Sequence, residues 1–118
     1  MSTMALVEGP SGVVAAWETD GQIYFARKKA GTIDFTNPEA APGSGRERKH
    51  PTLAVNARDE LLLAWTEGTG WEKGGTLAWQ VFDKTGKPTA EKGRVEDGIP
   101  VWGLPSAVAT HGAFLIVH

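Results

Sequence analysis

Six residues have the types from which a small-molecule site could be built: Trp71, Trp102, Arg48, His50, Glu67 and Glu72. Flat indole faces suit the C–H faces of sugar rings, and polar groups at the edges fix orientation. In such a site Trp71 and Trp102 are platforms, Arg48 and His50 are donors, and Glu67 or Glu72 accepts. The competing reading packs both tryptophans over strand ends and leaves the charges solvated. Taken alone, Arg46-Glu47-Arg48-Lys49 reads as a solvated loop.

Patterns for catalysis are thinner. Asp59-Glu60 and Glu96-Asp97 are neighbours in sequence, whereas a retaining glycosidase needs two carboxyls on opposite sides of a bond. His50, His111 and His118 fit no helix-borne metal spacing. The chain has no cysteine, which removes thiolate zinc sites, cysteine nucleophiles and disulfides. It carries no G-x-S-x-G, G-x-G-x-x-G or P-loop string. We therefore expect no catalytic residue, no metal and no cofactor in this chain.

Composition bounds the partners. The 118 residues are 41% hydrophobic and 22% charged, as in globular domains. A net charge of −2 leaves no basic excess to draw in nucleic acid. No apolar run approaches the length of about 18 residues that a membrane helix needs. The opening MSTMALVEGPSG has neither a basic start nor a long apolar run, so it is not expected to be a signal peptide. As written, the chain is expected in the cytoplasm; as a piece of an exported parent it would be periplasmic or extracellular. Fifteen glycines and five tryptophans point to short strands and tight turns.

The elements that must position the six residues come from a repeat. Met4 to Glu18, His50 to Glu67 and Leu104 to His118 each read as an apolar stretch, a turn, then a stronger apolar stretch. The second stretch closes on Ala16-Trp17, on Ala64-Trp65 and, in the third copy, on Val117-His118. First strands are expected over Met4–Val7, Thr52–Asn56 and Ser106–Thr110, and second strands over Val13–Glu18, Glu60–Thr66 and Ala113–His118. The turns between them hold Gly, Asn and Asp, which accept positive φ. Third strands follow over Gln22–Arg27 and Thr76–Asp83, and weaker fourth strands around Thr32–Thr36 and within Thr89–Val95. A helix over Ala57–Trp65 is the local alternative, since Ala, Glu and Leu are good helix formers.

Four strands per roughly 50 residues, repeated, is the pattern of a β-propeller blade. The fold class is thus all-β: a single β domain over 1–118, with blade-like units at 2–45 and 50–98 and a partial one at 104–118. That makes about 2.4 blades, where a closed propeller needs at least four. Unpaired edges and apolar faces would then be covered by a homo-oligomer or by the remaining blades of a longer parent. A small self-contained β-sandwich or meander is the other architecture. Trp17, Trp65 and Trp79 are expected to pack between blades.

The segment His50–Pro88 resembles a blade of the bacterial sialidase-like, BNR-repeat propeller proteins. The shared pattern is P-x-hydrophobic-A-V, a turn, hydrophobic-A-W, and a third strand ending in F-D-x-x-G-x-P. LPSAVATHGAFLIVH resembles another blade start of that group. The resemblance implies a six-bladed, usually exported parent, with ligands on the face shared by the second-to-third-strand loops and the loops between blades. On that face would lie Glu67 to Gly75 with Trp71 and Glu72, Ala41 to Pro51 with Arg48 and His50, and Val95 to Pro105 with Trp102. Catalysis does not carry over. The family's Asp-box, S-x-D-x-G-x-x-W, is not matched at Lys28–Thr32 or Asp83–Gly86, and Tyr24, the only tyrosine, falls inside a third strand. The expected function is a non-catalytic propeller module binding a carbohydrate or protein ligand, or serving as scaffold. The alternative is part of an exo-sialidase-type glycoside hydrolase whose catalytic residues lie outside this chain.

Overall fold

A computed structural model describes residues 4–69, 74–101, 103–110 and 113–118. Among the described residues ten strands form three antiparallel sheets, each a simple meander. The first holds β1 (Ala5–Gly9), β2 (Gly12–Thr19), β3 (Gln22–Lys29) and β4 (Glu39–Ala40); the second holds β5 (Arg48–Val55), β6 (Leu61–Glu67), β7 (Gly75–Phe82) and β8 (Pro88–Ile99). A hairpin of β9 (Ser106–Thr110) and β10 (Ala113–Val117) is the third.

Turn chemistry sets the registers. Between Thr19 and Gln22, which pair, Asp20 and Gly21 have φ of 51° and 78°, the two positive values that a type I′ hairpin turn requires. Asn56 organises the β5–β6 turn by accepting from the Arg58 and Glu60 amides, both at 3.0 Å. Asp83 does the same for β7–β8, accepting from the amides of Thr85 and Lys87 and from the Thr85 hydroxyl. These short polar side chains stand in for backbone acceptors at the bend.

The sheets stack face to face. Val14, Ala16, Ile23 and Phe25 of the first sheet meet Leu53, Leu61, Leu63, Trp65 and Phe82 of the second. Phe25 and Phe82 lie with ring centroids 4.9 Å apart. On the other face of the second sheet, Ala54, Leu62 and Val81 pack against Ala107, Ala109, Phe114 and Ile116 of the hairpin. Every residue of β6 is therefore buried. Each fully buried leucine side chain contributes about 1.5–3 kcal/mol, so Leu61, Leu62 and Leu63 anchor both interfaces at once.

Three local expectations are corrected. Ala57–Trp65 is not a helix: the Asn56 turn and β6 occupy it, because the Leu-rich run is buried on both faces as a central strand is. The fourth strand of the first sheet is Glu39–Ala40 rather than Thr32–Thr36. Thr36 still touches β3, its hydroxyl accepting from the Arg27 amide and its own amide donating to the Arg27 carbonyl, but no ladder follows. β5 begins at Arg48, so Arg48 and His50 belong to a strand and not to a loop. Trp65 does pack between sheets, and Trp79 lies against the hairpin side.

Candidate functional site

The connections β2–β3, β4–β5 and β6–β7 meet at one end of the stack. The Arg48 amide donates to the Gly21 carbonyl at 2.9 Å and the Gly68 amide to the Glu47 carbonyl at 3.1 Å. Between them lies an open, polar depression of about 560 Å³, lined by Asp20, Gln22, Arg46, Glu47, Lys49 and Thr69 among others. Trp71, Glu72 and Trp102 lie outside the described residues.

Beneath this surface Arg48 and Glu67 are brought together. The two are buried, with 1% and 6% of their side chains exposed, and Arg48 Nε donates to Glu67 Oε2 at 3.0 Å. Arg48 Nη1 donates to Gln22 Oε1 and the Ala41 carbonyl, and Nη2 to the Pro42 carbonyl. The guanidinium lies 4.9 Å from the Trp65 ring centroid, a cation–π contact. Glu67 is as fully engaged. Oε2 also accepts from Trp65 Nε1 at 2.8 Å, and Oε1 accepts from Arg94 Nη1 at 2.5 Å. The backbone of Gly45 closes over this carboxylate, and any side chain at that position would collide with it.

Burial alone would raise the pKa of Glu67. The hydrogen bonds from Trp65 and Arg94, with the charges of Arg94 and Arg48, outweigh that and hold it below the usual glutamate value. A carboxylate so held is no general acid at neutral pH, and Arg48 has no open face for a ligand carboxylate. Together they anchor the β4–β5 connection to the second sheet. A buried pair of this kind is kept together by its full set of partners.

His50 sits elsewhere. Lys49 pairs with Thr66 and Thr52 with Ala64, so His50 and Pro51 stand opposite Trp65 alone as a β-bulge. Its φ is 52°, a left-handed conformation in which His is enriched. Burial first, and then the charge of Lys49, lowers its pKa below 6.5. His50 and Arg48 thus share a strand without sharing a site.

A second groove was not foreseen. Because β4 is two residues long, the outer part of the second sheet is left open on the side facing the first. The resulting space, about 700 Å³, is lined by Ser44, Trp65, Trp79, Gln80, Lys92 and Arg94, with the loop backbone around them. Arg94 is half exposed and salt-bridged to Glu67 and Glu96. The alternation along 88–99 could have placed Lys92 and Arg94 on one face; the shortness of β4 has no local signal.

The fold and site together define an all-β stack of antiparallel meanders with a polar loop end and a buried ionic anchor. No family model, no curated protein and no solved structure matches the chain. Among the described residues no group of three or more His, Cys, Asp or Glu is placed to hold a metal ion.

Proposed function

We propose that this chain is a run of consecutive propeller blades of the sialidase-like kind, acting as a non-catalytic binding module whose loop end takes a carbohydrate. One observation carries the reading: the sheets stack in the same sense. Val14 and Ala16 of β2 correspond in the repeat to Leu62 and Ala64 of β6, and each pair faces the following sheet. A sandwich packs two sheets by their inner faces and stops; a stack that repeats head to tail can continue, as blades do. The polar depression supports the ligand reading, since it lies where the β2–β3, β4–β5 and β6–β7 connections meet. The engaged states of Arg48 and Glu67 support the absence of catalysis.

A glycan array probed with the intact chain tests it. Binding is expected, and Trp71→Ala or Trp102→Ala should weaken it at least tenfold while leaving the thermal midpoint within a few degrees. An array with no bound glycan, or binding untouched by both changes, overturns the carbohydrate reading.

A further inference from the structure

At the end of the stack opposite the loop depression, a small cavity of about 180 Å³ opens between the first two sheets. Three turns converge on it: β1–β2 with Ser11, β5–β6 with Asp59, and β7–β8 with Lys84, Thr85 and Gly86. The two hairpin ends are tied across it, Ser11 Oγ donating to Asp59 Oδ2 at 2.5 Å. From β3 come Arg27, Lys28 and Lys29. Four basic residues thus border the space beside one carboxylate, Lys28 through its backbone on a strand that turns its side chain the other way from Arg27, in a molecule whose net charge is −2.

The cations differ in their commitments. Lys28 Nζ donates to the Thr32 carbonyl at 2.7 Å. Arg27 is the exception: its Nη2 is sealed from solvent and finds no acceptor among the described residues. An unmet buried donor costs about 1–3 kcal/mol, more when it is charged. Arg27 continues the row of Ile23 and Phe25 toward the second sheet. One rung beyond Phe25, its guanidinium reaches the β7–β8 turn, where Gly86 has no side chain to obstruct it. Guanidinium and ammonium groups around a small space with hydroxyls at its rim suit an oxyanion.

We propose that this cavity is a binding site for a phosphate-type oxyanion, held by Arg27 with Lys84 and Lys29, and bridging the first sheet to the second. The ion would neutralise like charges brought together by the stack. It is separate from the loop-end site and does not depend on it.

Calorimetric titration of the intact chain with inorganic phosphate, at ionic strength matched with sodium chloride, tests the site. Saturable one-to-one binding is expected, together with a rise in the thermal midpoint. Arg27→Gln should weaken binding at least tenfold, and Arg46→Gln, at the other end of the stack, should leave it within twofold. If Arg27→Gln does not fold, Lys84→Gln serves, with an expected loss of threefold or more. A parallel titration with glucose 6-phosphate separates the sources. Equal affinity assigns the site to a phosphoryl group on a larger ligand, and binding of phosphate alone assigns it to the free ion. Absence of saturation, or equal affinity in wild type, Arg27→Gln and Lys84→Gln, overturns the proposal.

Discussion

Glu67 and His50 titrate in the same direction for different reasons. Glu67 is held below 4.5 by its donors in spite of burial, and His50 is held below 6.5 by burial and Lys49. Both folded-state values are depressed, so both contributions are complete above the unfolded values and lost as the pH falls through the folded ones. Stability should therefore decline in two acid steps, one below pH 6.5 and one below pH 4.5. Urea midpoints measured from pH 8 to pH 3 read this out. His50→Asn keeps a residue tolerant of positive φ and should flatten the first step. Glu67→Gln should flatten the second while lowering stability throughout, because Arg48 is left buried without its counter-charge. Midpoints independent of pH down to 4 would refute the assignment. None of this was legible from residue types. Arg48 reads as a ligand donor and Glu67 as a ligand acceptor because their segments are expected on one loop face; their mutual bond joins residues 19 apart and draws in Gln22 from another sheet.

At the scale of elements, strands were legible where burial has a period. Ser106–Thr110 came out residue for residue, and Val13–Glu18 and Gln22–Arg27 to within two residues at each end. The repeat supplied the reason: a run such as Leu61–Leu63 must be covered on both sides. β4 was misplaced because nothing in Thr32–Thr36 or Glu39–Ala40 encodes a partner; pairing with Tyr24 and Phe25 decides it. The pairing of β7 with β8 offers a sharp test. Gly93 stands opposite Trp79, whose indole lies across it so closely that an added Cβ would overlap the ring. Gly93→Ala should cost about 1–3 kcal/mol, as overpacking does. In a double-mutant cycle with Trp79→Ala most of that cost should vanish. An undiminished cost in the double variant would place the strain in the backbone instead.

For the whole molecule, the two ends of the stack are the distinctive surfaces. Val108, Leu115 and Val117 of the hairpin are 49–59% exposed, and Leu6 of β1 is 65% exposed. These faces correspond in the repeat to faces that are covered elsewhere in the chain. Exposed apolar patches of this kind mark association surfaces, so light scattering coupled to size exclusion should give a mass above that of one chain. Leu115→Lys should return it toward the monomer. A dispersed wild-type monomer at high concentration would count against the stacked-blade reading and for a self-contained β domain. The middle sheet has a different fate. It alone is covered on both faces, so its neighbours lean on it and not on each other. In a stack held by nearest-neighbour contacts, opening starts at the ends. The lifetimes of the backbone amides should therefore fall outward from the middle sheet, longest in β6 and shortest in the hairpin, and the protein is expected to come apart as a sequence of partial openings with a persistent centre.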